Sequence, residues 1–102
     1  MVGRWGSTPF RITETVEGDG AVRLALAGEL DLATTSALRR RLLELGSRRT
    51  RVRLDLSRLE FLDASGLQVL IEAAEPPSRV ELGHDLAPQV SRLLSTFGLR
   101  PA

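Results

Sequence analysis

The 102-residue sequence predicts a single α/β domain, a mainly parallel four-stranded sheet that opens with an antiparallel hairpin and carries its helices largely on one face. Three observations lead there. Apolar residues recur at a period of two in four short segments and at a helical period in three others, ordered strand, strand, helix, strand, helix, strand, helix. After the first pair, strands that alternate with helices need crossover connections, which favour parallel pairing. The strands also keep polar residues on one parity, whereas a sheet covered on both faces would show continuous apolar runs.

The elements follow in order. "FRITETV" sets Phe10, Ile12 and Val16 on one parity, and "AVRLALAG" does the same for Val22, Leu24 and Leu26. Between them "EGDG" reads as a tight hairpin turn, with Gly18 and Gly20 available for positive φ. "DLATTSALRRRLLELG" spaces Leu38, Leu42 and Leu45 for a first helix, with Asp31, Thr34 or Thr35 as N-cap and Gly46 as its stop. "RVRLDLS" alternates strictly, Val52, Leu54 and Leu56 against Arg51, Arg53 and Asp55. From Ser65 the period becomes helical, with Leu67, Leu70, Ile71 and Ala74 on one stripe until Pro76 and Pro77 end it. "RVELG" is a short strand expected at the sheet edge, where Arg79 and Glu81 discourage unwanted pairing. "PQVSRLLSTFG" opens with Pro88, places Val90, Leu93, Leu94 and Phe97 on one face, and closes at Gly98.

Bulk properties narrow the function. The length suits one core, with residues 1–9 expected as a flexible lead-in and 10–102 as the domain. Without cysteine, a disulfide framework, a thiolate metal site and a cysteine nucleophile are excluded. No apolar run reaches the roughly 20 residues of a membrane helix, and "MVGRWGSTPF" lacks a signal-peptide core, so a soluble cytoplasmic protein is expected. All 14 basic residues are arginine, and seven of them cluster in "RRRLLELGSRRTRVR". A net charge of only +1 and the lack of interleaved aromatic residues argue against direct nucleic-acid binding and for a solvated helix face plus loop.

The stretch "LEFLDASGLQVLIEA" carries the main functional signal, because a run of core residues breaks for Asp63, Ala64, Ser65 and Gly66. Ser65 and Gln68 have capping-box spacing, which is the structural reading. The functional reading starts from position, since the carboxyl end of a parallel strand is where open α/β sheets place their sites. A helix N-terminus accommodates an anion, so a phosphate on Ser65 would not wreck the fold, yet it would add about −1.5 to −2 charges beside Asp63.

Catalysis finds little support. A nucleophile elbow needs glycine two residues either side of the serine, and positions 63 and 67 are Asp and Leu. His84 is the sole histidine and reads as a loop or capping residue, no metal-ligand spacing is present, and no glycine-rich phosphate loop occurs. No enzyme activity and no cofactor are expected, so any ATP belongs to a partner.

"LDLSRLEFLDASGLQVLIEA", preceded by "LAGELDLATTSALRRRL", resembles the anti-sigma factor antagonists of the STAS domain family, from about Phe10 to Leu99. The resemblance implies a STAS-type fold and phosphorylation of Ser65, with Asp63 as its acidic neighbour. It also implies a partner-binding surface of Asp31, Thr34, Asp63, Ala64, Ser65 and Gly66. The implied partner is an anti-sigma factor with serine kinase activity, bound when Ser65 is unmodified so that the sigma factor is released, and lost on phosphorylation. Neither a small-molecule substrate nor membrane insertion is implied. The rival within the same resemblance is a non-catalytic STAS subunit that braces the ATPase of a membrane lipid-transport (ABC) complex.

Overall fold

The computed structural model describes residues 9–83 and 85–98. Trp5, His84 and all but the last residue of the expected lead-in lie outside them. The elements are β1 (Arg11–Val16), β2 (Val22–Leu30), α1 (Thr35–Ser47), β3 (Val52–Leu62), α2 (Ala64–Ala74), β4 (Val80–Leu82) and α3 (Pro88–Thr96). The sheet runs β1-β2-β3-β4, antiparallel between β1 and β2 and parallel thereafter. The expected α/β architecture, with its hairpin and its edge strand "RVELG", is therefore the observed one.

In the hairpin turn the Glu17 N–H donates to the Ala21 carbonyl at 2.8 Å and the Gly20 N–H to the Glu17 carbonyl at 2.9 Å. Only Gly20, at φ +87, uses the left-handed region, and Gly18 does not. Val16 is exposed, since β1 is an outer strand that buries little beyond Ile12.

The core sits on one side of the sheet. Val22, Leu24, Leu26 and Leu30 of β2 and Val52, Leu54 and Leu56 of β3 are buried in one cluster with Leu38 and Leu45 of α1, Leu67 and Leu70 of α2, and Val90 and Leu94 of α3. The opposite parity carries Arg23 and Asp55, paired with each other on the open face. Burial of aliphatic side chains against one sheet face is the main stabilising term, roughly 1.5–3 kcal/mol for each fully buried side chain.

β3 is longer than its alternating segment suggested. Buried positions run 52, 54, 56 and then 59 and 62, because the strand takes two extra residues relative to β2. Ala25 pairs with Asp55 but Ala27 with Arg58, and Gly28 pairs with Leu59 but Glu29 with Phe61. Each bulge shifts the side-chain parity by one, which keeps Leu59 and Leu62 facing inward and delivers the strand's end beside that of β2.

Two helix ends differ from expectation. α1 runs through Gly46 to Ser47, and the left-handed position after it is occupied by Arg49 at φ 56. The Arg49 N–H donates to the Gly46 carbonyl at 3.0 Å and the Thr50 N–H to Leu45 at 3.1 Å. α3 ends at Thr96, so Phe97 leaves helical geometry and lies exposed, while Gly98 at φ +78 closes the element as expected.

The arginine cluster is partly neutralised by carboxylates distant in sequence. Arg41 of α1 pairs with Glu14 of β1, and Arg51 and Arg53 pair with Asp19 in the hairpin turn at 2.7 Å each. Arg53 also meets Glu17 at 2.8 Å and Glu81 on the edge strand at 3.5 Å. These pairs are solvent-exposed, so they orient the elements more than they stabilise them.

Arg49 holds a conformation that costs an L-residue roughly 1–2 kcal/mol and glycine almost nothing, part of which glycine returns through its larger unfolded-state entropy. Arg49→Gly is expected to raise the unfolding free energy by about 0.5–1 kcal/mol in urea denaturation.

Candidate functional site at the carboxyl ends of β2 and β3

β2 and β3 are parallel neighbours that end together, with Leu30 opposite Leu62, so the chain leaving each strand emerges at the same edge of the sheet. Residues 31–34 lead into α1, and Asp63 alone leads into α2. The sequence-predicted residues Asp31, Thr34, Asp63, Ala64, Ser65 and Gly66 all fall at this edge.

Asp63 organises the junction. Its extended backbone, φ −102 and ψ −171, makes it the N-cap of α2, and its side chain accepts from the Gly66 N–H at 3.0 Å. Its own N–H donates to the Leu30 carbonyl at 3.2 Å. The expected capping box between Ser65 and Gln68 is not formed, because Ser65 already lies inside the first turn. The Ser65 hydroxyl donates instead to Asp63 Oδ1 at 2.5 Å, and the Gln68 amide donates to Glu72 at 3.2 Å.

Gly66 is buried at the point where α2 meets β2. A Cβ there would lie 2.3 Å from the Leu30 carbonyl oxygen, closer than any side chain tolerates. Its glycine is required by close approach, and not by a left-handed backbone. Gly66 therefore supports the surface that Ala64, exposed, and Ser65, half-buried, present.

The other loop is held from within. Thr34 Oγ1 accepts from the Asp31 N–H at 2.9 Å and donates to the Glu29 carbonyl at 2.9 Å, while Asp31 Oδ1 accepts from the Ala33 N–H at 3.0 Å. Thr34 occupies the N-cap position of α1 without a side-chain cap bond, its hydroxyl being spent on the loop. This turn turns Leu32 outward, 80% exposed, and Phe61 two residues before Asp63 is also half exposed. Neither was singled out in the sequence, where Leu32 resembles any leucine in "ELDLAT" and Phe61 lies in a strand whose parity the bulges alter. Leu32 and Ser65 share a shallow recess of about 340 Å³, with Arg39, Gln68 and Glu72 among its walls. Arg39 and Glu72 are ion-paired at 3.3 Å across it, joining α1 to α2.

The electrostatics favour a charged Asp63. The Ser65 hydroxyl first, then the Gly66 N–H, with help from the Leu32 and Ser65 N–H groups, hold its carboxyl below its ordinary value of 3.8. An ionised carboxylate only accepts, so the Ser65 proton points at Asp63 and the Oγ lone pairs face away from it. The serine can receive a group on that side, while the acidic carboxylate is a weak base at neutral pH. Among the described residues no group of acidic and histidine side chains could hold a metal ion, and no helix is long and apolar enough to cross a membrane.

The depressed value sets a pH dependence. Asp63's contribution is complete above the ordinary carboxyl value and disappears as pH falls through the lowered one. With intrinsic exchange corrected for at each pH, the protection of the Gly66 and Ser65 amides is expected to fall on acidification below about pH 4, ahead of that of the β2 and β3 core amides. Gly66→Ala is expected to cost at least about 1–3 kcal/mol in urea denaturation, since overpacking here meets backbone.

A family model described as "Mlab, STAS domain" matches residues 14–100. An anti-sigma-F factor antagonist, RsfB, of Mycobacterium tuberculosis is 38% identical over 71 residues, in each of two strains, CDC 1551 / Oshkosh and ATCC 25618 / H37Rv. That match covers 68% of this chain and 58% of the relative, so the aligned part is well short of the relative's full length. The crystal structure of an anti-sigma factor antagonist from Mycobacterium paratuberculosis superposes with a TM-score of 0.61 at 28% identity, covering 94% of this chain and 91% of the other. The family match over most of the chain, with the sheet order and the superposition on an anti-sigma factor antagonist at 28% identity beside it, makes this chain a member of the STAS domain family.

Proposed function

We propose that the protein is an anti-sigma factor antagonist, a non-catalytic phosphoswitch that binds an anti-sigma factor with serine kinase activity while Ser65 is unmodified. Binding would release the sigma factor for transcription, and phosphate transferred from the kinase's ATP to Ser65 would end it. The observation that carries this reading is the Ser65 hydroxyl, held by Asp63 at the start of α2 with exposed Leu32 on the same recess. The names of the mycobacterial relatives support the same reading.

The geometry refines how phosphate acts. A phosphoserine ester oxygen has no proton, so the bond to Asp63 is lost and a group of about −1.5 to −2 charges faces a carboxylate. The helix N-terminus gives less relief than its dipole suggests, because Asp63 already engages the Gly66 N–H. The phosphate therefore turns from Asp63 toward the recess, where Arg39, shared with Glu72, is the cation within its walls. Partner release then comes from charge and bulk at the surface, with the backbone held by Gly66 against Leu30.

Incubation with the cognate kinase and ATP, followed by mass spectrometry, is expected to place phosphate on Ser65. Phosphate on Ser36 or Ser57, or none, contradicts the proposal. Ser65→Ala removes one hydrogen bond, costs about 1 kcal/mol or less, and keeps partner binding. Phosphorylation is expected to weaken partner affinity by more than a hundredfold, about 3 kcal/mol, through like charges brought together at the interface. Amide shifts should stay near Ser65, the Asp31 loop and Arg39, whereas shifts across Leu54, Leu82 and Leu93 would mean a global rearrangement. Capture of an ABC ATPase in place of an anti-sigma factor would favour the bracing-subunit reading.

A further inference from the structure

A second site lies on the far side of the Arg39–Glu72 pair. Between α1, α2 and the start of β4 is a cavity of about 380 Å³, within the size range of small-molecule sites. Leu42, Leu43, Val69, Ala73 and Val80 line it, so its walls are mainly apolar. Leu43 is 69% exposed on a helix whose other leucines at core spacing are covered, which leaves an apolar side chain at the cavity mouth.

The charge at this mouth is one-sided. Arg39, Arg49, Arg79 and Glu72 all contribute to the lining, and Glu72 is engaged by Arg39. Among the described residues, Arg49 and Arg79 have no ion-pair partner, in contrast with Arg41, Arg51 and Arg53. Arg49 is also the residue held at φ 56, where glycine would fit without strain. Two cations without an ion-pair partner at the mouth of an apolar cavity suit an anion that carries an apolar tail.

We propose that this cavity binds a small anionic amphiphile, a single alkyl chain with a phosphate or carboxylate head. The chain packs between Leu42, Leu43, Val69 and Ala73, and the head meets Arg49 and Arg79. A protein partner fits less well, because the exposed apolar surface amounts to one leucine, far below the roughly 800 Å² per side of a stable interface. The inference does not depend on modification of Ser65, although the two sites share the Arg39–Glu72 wall.

Octyl phosphate titrated into the ¹⁵N-labelled full chain tests it, with octanol and inorganic phosphate supplying the tail and the head alone. Saturable amide shifts at Leu43, Ala73 and Val80 are expected, with octyl phosphate binding tightest. Arg49→Gly suits the local backbone and keeps the fold, and it is expected to weaken octyl phosphate about tenfold through loss of a charged contact. Ala73→Phe, which fills the cavity, is expected to abolish the shifts while a normal β2 and β3 amide spectrum shows that the fold persists. Absence of binding, equal affinity for octanol or for inorganic phosphate, shifts centred elsewhere, or unchanged affinity in Arg49→Gly would overturn the proposal. Concentration-dependent shifts of the same amides without any additive would also overturn it, by giving the cavity to a second copy of the chain.

Discussion

The Leu30 carbonyl is the point on which the site depends. It accepts the Asp63 N–H at 3.2 Å and lies where a side chain on Gly66 would have to be, so the end of β2 bears directly on the first turn of α2. Asp63 completes the junction by accepting from Gly66 and Ser65, with Leu32 of the neighbouring loop also contributing to its acidity. One backbone oxygen and one carboxylate thus set the spacing of two strands, two loops and a helix. The serine's orientation follows from that arrangement, because its hydroxyl has a fixed acceptor two residues away.

Much of this was legible because the relevant signals are local. Strict alternation in "RVRLDLS" and helical spacing in "PQVSRLLS" reflect burial on one side of a backbone whose period is known, and the core recovered from them is the observed one. The prolines after Ala74 and the glycine at position 98 act through their own backbone, so those helix ends were readable. The position of the serine at a strand-to-helix change was equally plain. Its bonding was not, because two local patterns competed: Ser65 with Gln68, and Asp63 with Gly66. The second prevails because Asp63 is the last extended residue, a fact set by where β3 ends.

What escaped the sequence is non-local. The two bulges of β3 arise from pairing with β2, and they carry the strand beyond the alternating "RVRLDLS" to Leu62 while turning Phe61 outward. Arg49 takes the left-handed position because β3 must start at Val52, and a helix that continues to Ser47 leaves the reversal to whichever residue follows. The arginine cluster read as a uniformly solvated face, yet Arg41, Arg51 and Arg53 meet carboxylates from β1 and its turn that are 27–36 positions away. Sequence spacing carries no trace of such pairings. The same clustering hides the difference between those arginines and Arg49.

The glycine contact also fixes the length of one connection. A residue inserted between Leu62 and Gly66 would advance the helical phase by about 100°, swinging a side chain toward the Leu30 carbonyl and carrying the glycine away from it. The step from β3 to α2 is for this reason closed to insertion and deletion. The β1–β2 turn is under no such constraint, since Gly18 and Gly20 have open space around them. Divergent copies of this domain should vary in length at the hairpin, at the opposite end of the sheet, and keep an unvarying count of residues where the serine stands.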